Sequence, residues 1–260
     1  MTLALIAGEG DLPPALVGEL AAPPLVCALE GVSPRLPVDL WFRLERLAEF
    51  MAALKARGIT QVCMAGGLAR PNISWRAFGL STLPLVPVML RALRRGDDGA
   101  LRAFIGVMEA RGLQIVAAQD IAPDLLPPHD VLTKAAPTPE EVDLARLGDA
   151  CLADMGRRDT GQACVLRDGQ VAAEEDRAGT DALIRRAAGA GGLLFKGPKP
   201  GQDRRADLPV IGPGTAEGII AAGLDGIVIA AGGVMVLDRA ATLATLDAAG
   251  KFLWVRTAGT

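Results

Sequence analysis

The densest group of chemically active side chains in the chain lies at positions 196–207. This run holds four cations and two carboxylates, and prolines and glycines separate them. Cations on a stiff loop at the end of a strand can clamp the oxygens of a pyrophosphate. The pattern therefore predicts phosphate binding by Lys196 and Lys199, and a solvated charged loop is the alternative interpretation.

A second group consists of single acidic residues at the ends of predicted elements, namely Asp159, Asp181 and Asp225. Asp225 directly precedes the strongly apolar run 226–230, where an unpaired carboxylate is costly. Carboxylate oxygens suit Mg²⁺, which commonly takes one or two of them together with substrate phosphates. Asp225 is thus a candidate metal ligand or, alternatively, a turn residue that caps its own backbone.

Glycines follow the first and third apolar runs of the chain. Gly8 and Gly10 precede a predicted helix, and a helix N-terminus favours an anionic ligand. Gly67 would line the same crevice, and Glu30 lies where an acid could bind a ribose hydroxyl. A complete dinucleotide fingerprint would need a small residue in place of Pro13. A nucleotide site and a merely tight strand-to-helix turn are both compatible with this pattern.

Alternating apolar runs and helical patterns indicate how the first half of the chain positions these residues. The predicted strands are Leu3–Ala7, Leu25–Leu29, Gln61–Ala65 and 115–118. The predicted helices cover 12–20, 44–57 and 97–111. Short strands that alternate with helices favour a parallel sheet with helices on both faces, as in Rossmann-like domains.

Five prolines between positions 123 and 139 separate this pattern from a different one. We place two domains at 1–132 and 138–260, and the second opens on a helix at the last of these prolines. The further predicted elements are strands 163–167, 170–173, 193–196, 226–230 and 252–255, and helices 180–190, 215–222 and 239–249. Asp168-Gly169 predicts a hairpin, so we expect a distinct α/β domain with a mixed sheet.

The composition excludes several classes of protein. Basic and acidic side chains number 27 and 30, so the chain lacks the strongly basic character of nucleic-acid binders. One histidine and four scattered cysteines match neither a zinc site nor a disulfide framework. The apolar stretch 80–93 is interrupted by prolines and is too short to span a bilayer, and the N-terminus lacks the basic segment of a signal peptide. We therefore expect a soluble, cytoplasmic protein.

Four segments of the second half occur in a specific order. They are Asp159-Thr160-Gly161-Gln162, the positions 179–186, the run from Lys199 to Pro209, and Ile211-Gly212-Pro213. In this order they resemble the LpxI-type UDP-2,3-diacylglucosamine pyrophosphatases of lipid A biosynthesis. The resemblance extends to the glycine-rich start of the chain, and it implies a Rossmann-like N-terminal domain and a separate C-terminal catalytic domain. One departure is Ala178, where we expect the family to carry Glu.

The resemblance also implies an activity: Mg²⁺-dependent hydrolysis in which water attacks the β-phosphate and releases UMP and 2,3-diacylglucosamine 1-phosphate (lipid X). By resemblance Asp225 is the essential acid, and we expect it to hold Mg²⁺ with Asp181 or Asp203. Lys196 and Lys199 would act beside it as catalytic cations. The expected substrate-binding residues are Gly8, Gly10, Asp11, Gly67, Gln162, Thr180 and Asp181.

The expected partner is an amphiphilic sugar nucleotide and not a nucleic acid. A homodimer is compatible with the sequence, as is peripheral contact of 80–93 with the inner membrane face, although ordinary core is the favoured interpretation of that stretch. Two other functions stay open. An NAD-dependent Rossmann oxidoreductase is favoured by Glu30 and opposed by Pro13. A non-catalytic protein that binds a lipid or a nucleotide would show saturable binding without turnover.

Overall fold

The computed structural model describes residues 2–68, 73–93 and 96–257. The chain forms two compact units. The first contains the chain up to Pro123 together with Asp203–Asp207, and the second contains Asp124–Gln202 and the chain from Leu208 onward. The chain therefore passes between the units at three places, although its proline-rich segment marks only one of them.

The first unit is built on an all-parallel sheet. Its strands are β1 (Leu3–Ala7), β2 (Leu25–Leu29), β3 (Leu40–Phe42), β4 (Gln61–Ala65) and β5 (Gln114–Val116). Its helices are α1 (Leu12–Glu19), α2 (Leu47–Ala56), α3 (Val86–Leu93), α4 (Gly96–Glu109) and α5 (Ala118–Ile121). The strand order is β3-β2-β1-β4-β5, so the order reverses between β1 and β4. This arrangement confirms the predicted Rossmann-like sheet.

The strands of this sheet are apolar along their length because helices cover both faces. Cys27 in β2 and Cys63 in β4 are fully buried, as expected for small apolar side chains. Burial raises the pKa of both thiols to about 12, which keeps them protonated. The two cysteines therefore belong to the core of the first unit.

The second unit contains a six-stranded mixed sheet and a separate sheet of two short parallel strands. Its strands are β6 (Asp130–Val131), β7 (Ala163–Arg167), β8 (Gln170–Glu174), β9 (Leu193–Lys196), β10 (Val210–Ile211), β11 (Gly226–Ala230), β12 (Met235–Val236) and β13 (Phe252–Arg256). Its helices are α6 (Pro139–Arg158), α7 (Gly179–Arg186), α8 (Pro213–Ala221) and α9 (Arg239–Ala248). The main sheet has the order β6-β13-β11-β9-β7-β8, with β9, β11 and β13 parallel. The predicted mixed sheet is thus confirmed.

Local sequence signals fix several boundaries of the second unit. Thr138 accepts a hydrogen bond from the backbone of Glu141, whose carboxylate accepts one from Thr138 N, and Pro139 occupies the first turn. This capping box begins α6 where the sequence predicts it. Asp168 and Gly169 both adopt positive φ, 50° and 74°, in the turn between β7 and β8. Such a turn matches the twist of a hairpin, which confirms that prediction.

Other predictions need correction. Asp130–Val131, which the sequence analysis assigned to the first domain, pairs with β13 of the second unit. The helix expected at 180–190 ends at Arg186, because Gly189, Gly191 and Gly192 have positive φ and turn the chain into β9. The strand expected at 115–118 runs from Gln114 to Val116. These differences move boundaries and leave the fold class unchanged.

The apolar stretch 80–93 lies at the surface for much of its length. Leu80 is 86% exposed, and Leu83 and Val88 are also exposed. The interpretation of the whole stretch as ordinary core is therefore wrong for these three side chains. Across residues 2–68, 73–93 and 96–257, no helix is long and apolar enough to cross a membrane.

Candidate active site

A buried cation stands at the carboxyl end of the mixed sheet. Lys196 is the last residue of β9, which lies between β11 and β7, and only 7% of it is exposed. Its Nζ donates to Thr180 Oγ1 at 2.8 Å and to the carbonyl oxygen of Val210 at 2.9 Å. The sequence prediction that Lys196 and Thr180 belong to one site agrees with this contact.

A buried carboxylate completes the arrangement. Thr180 Oγ1 donates to Glu175 Oε1 at 2.6 Å, and Glu175 is 8% exposed. One hydroxyl thus links the ammonium group of Lys196 to a carboxylate, and we call these three residues the Lys–Thr–Glu network. Buried charges are costly unless opposite charges and hydrogen bonds compensate them, and this network supplies both.

Gln162 lies beside the network. Its backbone N–H donates to Glu175 Oε2 at 2.7 Å, and its carbonyl oxygen accepts from Gly197 N at 3.1 Å. Its side-chain oxygen Oε1 is buried and has no hydrogen-bond partner in the described part of the chain. Buried acceptors are nearly always satisfied, so this oxygen is suited to a donor from water or from a ligand.

The loop after β9 is held by close packing. Lys199 Nζ lies 2.7 Å from Asp159 Oδ1, and the backbone N–H of Lys199 donates to Gln202 Oε1 at 2.9 Å. A Cβ atom on Gly156 of α6 would lie 2.4 Å from Pro200 Cδ, so this contact requires glycine. The sequence prediction of a stiff loop agrees with this packing.

The remainder of the charged run belongs to the first unit. Asp203 accepts hydrogen bonds from the Arg205 guanidinium at 2.9 and 2.7 Å, and Arg205 also reaches Glu109 at 2.6 Å. The hydrogen bonds from Arg205 lower the pKa of Asp203. Ala206 packs against the apolar core of the same unit. The carboxylate of Asp203 is therefore engaged by a cation two positions along the chain.

Asp225 and Lys196 lie at opposite ends of two neighbouring parallel strands. Asp225 precedes the amino end of β11, and Lys196 is at the carboxyl end of β9. In the parallel pair of β9 and β11, Gly226 is opposite Leu193 and Ile229 is opposite Lys196. Lys196 is level with Ile229, four residues beyond Asp225, so roughly 13 Å of strand separates Asp225 from Lys196 along the strand direction. The expectation that Asp225 acts beside Lys196 is not met. Instead, Asp225 accepts from Gly192 N at 2.9 Å and faces Lys251 at 3.3 Å.

Two of the expected magnesium ligands, Asp181 and Asp225, lie at opposite ends of the strands of the mixed sheet. Asp181 is exposed in the first turn of α7, next to Thr180 of the network. Asp225 lies at the other end of those strands, and Asp203 belongs to the first unit. The described residues contain no group of three or more histidine, cysteine, aspartate or glutamate side chains arranged to hold a metal. Asp181 is the member of the expected set that adjoins the network.

The glycines of the first unit do come together, at the carboxyl ends of β1 and β4. Glu9 and Gly67 exchange backbone hydrogen bonds of 2.8 and 2.9 Å. A Cβ atom on Gly8 would lie 2.4 Å from the carbonyl oxygen of Gly67, and Gly10 has φ 96°. Asp11 forms an exposed ion pair with Arg35. Close contact between the two turns accounts for the glycine at position 8, at the point where parallel sheets commonly bind ligands.

Glu175 is a member of the site that the sequence motifs did not indicate. Its neighbour Glu174 pairs with Arg158 at the surface, whereas Glu175 points inward. A Cβ atom on Gly161 would lie 2.8 Å from Glu175 Cβ, so the two segments approach closely. The glycine in Asp159-Thr160-Gly161-Gln162 was thus a signal that a side chain from another segment packs there.

Comparison with known proteins supplies independent findings. A family model described as the LpxI N-terminal domain matches residues 2–125, and one described as the LpxI C-terminal domain matches residues 128–254. The UDP-2,3-diacylglucosamine pyrophosphatase LpxI of Caulobacter vibrioides is 37% identical over 213 residues, which cover 77% of this chain and 76% of that protein. The two matched ranges meet close to Pro123, where the chain first passes from one unit to the other.

Proposed function

The chain belongs to the LpxI family, and we propose that it is a UDP-2,3-diacylglucosamine pyrophosphatase. The observation that carries the proposal is the similarity along most of the chain to a protein of that name. The substrate would be an amphiphilic sugar nucleotide, and the bond that breaks would be its phosphoanhydride.

We place the chemistry at the carboxyl end of β9. Hydrolysis of a phosphoanhydride builds negative charge on phosphate oxygens, and preorganised cations stabilise such charge. Lys199 is the more accessible cation, since 18% of its side chain is exposed and Asp159 is its ion-pair partner. A phosphate group would compete with Asp159 for this ammonium group. Lys196 lies deeper and would add its positive charge from below the loop.

The buried oxygen of Gln162 supports the same location. It is an acceptor without a donor in the described residues, next to Glu175 and Gly197. A water molecule or a hydroxyl of the substrate would satisfy it. The expected substrate contact of Gln162 thus has a physical reason, while that of Thr180, Gly8, Gly10, Asp11 and Gly67 stays a prediction.

The proposed reaction has a defined balance of atoms. The oxygen of water forms a bond to the β-phosphorus, and the bond from that phosphorus to the bridging oxygen breaks. UMP leaves with the bridging oxygen, and the two protons of water pass to solvent or remain on the product phosphates. The second product, 2,3-diacylglucosamine 1-phosphate, carries the oxygen that came from water.

Hydrolysis in ¹⁸O-labelled water tests both the activity and the point of attack. Purified protein is incubated with UDP-2,3-diacylglucosamine, and the masses of both products are measured by mass spectrometry. We expect one ¹⁸O atom in the glucosamine phosphate and none in UMP. Label in UMP would overturn attack at the β-phosphorus, and the absence of either product would overturn the activity itself.

Mg²⁺ dependence is a further part of the proposal. Asp225 lies at the other end of the strands from Lys196, so within the second unit we propose Asp181 as the protein ligand beside the network. Bound Mg²⁺ would neutralise charge on the substrate phosphates, which commonly supply most of its ligands. We expect loss of turnover in EDTA, recovery when Mg²⁺ is added back, and weaker recovery in Asp181→Asn. Unchanged turnover in EDTA would contradict this part alone.

A further inference from the structure

We propose that Glu175 is a positioning residue for the reaction, which acts on Lys196 through Thr180. This inference rests on the proposed function. The two carboxylate oxygens of Glu175 bind Thr180 and Gln162, two of the expected substrate-binding residues, and Thr180 in turn binds Lys196. The influence of Glu175 on a bound phosphate would therefore be indirect.

The first step is the direction of the Thr180 hydroxyl. A hydroxyl carries one hydrogen. The Thr180 hydroxyl uses it to donate a hydrogen bond of 2.6 Å to the carboxylate of Glu175. The lone pairs of Thr180 Oγ1 then face Lys196 Nζ at 2.8 Å. Without the carboxylate, the hydroxyl could rotate, and the ammonium group would lose an acceptor of fixed direction.

The second step concerns the loop that follows Lys196. The other oxygen of Glu175 accepts from Gln162 N at 2.7 Å, and the carbonyl of Gln162 accepts from Gly197 N at 3.1 Å. One carboxylate thus holds the side chain of Lys196 on one side and the backbone of the next residue on the other. Glu175 therefore restrains both the ammonium group of Lys196, through Thr180, and the backbone that follows Lys196, through Gln162.

The third step is burial. Glu175 is 8% exposed, and Gly161 leaves no room beside it, because a Cβ atom there would lie 3.0 Å from Oε2. The carboxylate therefore packs closely against the backbone of Gly161 and is largely shielded from solvent. This close packing is what a positioning role requires, since a displacement of about 1 Å at a reacting group can cost about 100-fold in rate.

The test compares Glu175→Gln with Glu174→Gln, a change of the same type at the adjacent position. In Glu175→Gln the amide cannot accept from both Thr180 and Gln162, whereas Glu174 binds Arg158 at the surface. We expect kcat to fall about 100-fold in Glu175→Gln while KM changes less than about threefold. Glu174→Gln should retain wild-type kcat. Circular dichroism melting of both variants reports the folded fraction, so that kcat refers to folded protein.

A double-mutant cycle identifies the route. Thr180→Val replaces the hydroxyl with a methyl group of similar size and tests the same link if Glu175→Gln fails to fold. We expect the two changes together to cost little more than either alone, and Thr180→Ser to restore turnover. Losses that multiply, or an unchanged kcat with only a lower Tm, would overturn the inference. Wild-type protein that does not hydrolyse UDP-2,3-diacylglucosamine would instead overturn the proposed function.

Discussion

Each unit carries a candidate site at the carboxyl ends of parallel strands, but the two sites differ in composition. In the first unit, the site consists of backbone and glycine, with Asp11 and Arg35 paired in solvent. In the second unit, it contains a basic and an acidic side chain withdrawn from water, namely Lys196 and Glu175. The two candidate sites therefore share a position within their sheets and little chemistry.

This difference shows which observation discriminates between packing and function. Close contact between two turns accounts for Gly8 without any ligand, since a side chain there would collide with Gly67. Buried charges have no comparable explanation, because an apolar pair of similar size would often stabilise the fold as well. Position at a strand end is thus weak support for a site, and a compensated buried charge is stronger support.

The largest expected effect comes from removing the ammonium group of Lys196. We expect Lys196→Met to lower kcat/KM by about 100-fold or more, since charge on the phosphates would lose a preorganised partner. Lys251→Met is the matched control, because Lys251 faces Asp225 at the other end of the strands. Steady-state assays of UMP release measure both. An equal loss of kcat/KM in the two variants would contradict the placement of the chemistry at the carboxyl end of β9.

Asp225→Ala is expected to lower stability while it leaves activity nearly unchanged. The carboxylate accepts from Gly192 N, so its removal should cost about 1 kcal/mol of unfolding free energy and lower Tm by about 2–4 °C. We expect kcat/KM to remain within about threefold of wild type. Abolished UMP release at an unchanged Tm would make Asp225 the essential acid after all. It would also place the catalytic centre at the amino ends of β9 and β11.

A smaller effect is expected for Asp203. Hydrogen bonds from Arg205 depress its pKa, so the ionised form stabilises the folded protein above the usual aspartate pKa. This contribution is lost as pH falls through the folded-state pKa. The Tm of Asp203→Asn should therefore be lower than wild type at pH 7, and the gap should close below about pH 4. Melting curves from pH 7 to pH 3 measure this, with the exposed pair variant Asp143→Asn as control. A gap that is constant with pH would contradict the assignment.

The smallest expected effect concerns the crevice of the first unit. Asp11 and its partner Arg35 are both more than half exposed, and such pairs contribute about 1 kcal/mol or less. We expect Asp11→Asn to leave Tm unchanged and to alter KM less than about threefold. A tenfold or larger rise in KM would show that substrate contacts this crevice, and the contrast between the two sites would then be wrong.

The parts of the fold that could be predicted were the continuous apolar strands. The bounds of β1, β2, β4, β9 and β11 agree with the sequence patterns because glycine or charged residues end each apolar run. The strands β3, β6, β10 and β12 have two or three residues each, which is too short for a recognisable period. Their pairing depends on tertiary contacts.

The candidate site was only partly predictable for a related reason. Lys196, Thr180 and Gln162 were identified from their motifs. Glu175 was missed because the register of β8 shifts opposite Val165 and Leu166, so simple alternation does not give the direction of the residues that follow. Asp225 was grouped with Lys196 because the parallel pairing of β9 and β11, which sets them at opposite ends of these strands, was not used.

The insertion of Asp203–Asp207 into the first unit has a consequence for dissecting the protein. Arg204 accepts a hydrogen bond from Gln119 at its carbonyl oxygen, and Arg205 binds Glu109. A fragment that ends at Pro123 would lack this segment, and its complement would carry five residues without their native neighbours. We therefore expect neither fragment to have the full stability of its unit in the intact chain. Unfolding of the two units should be thermodynamically linked, and pieces made by one cleavage should complement each other when mixed.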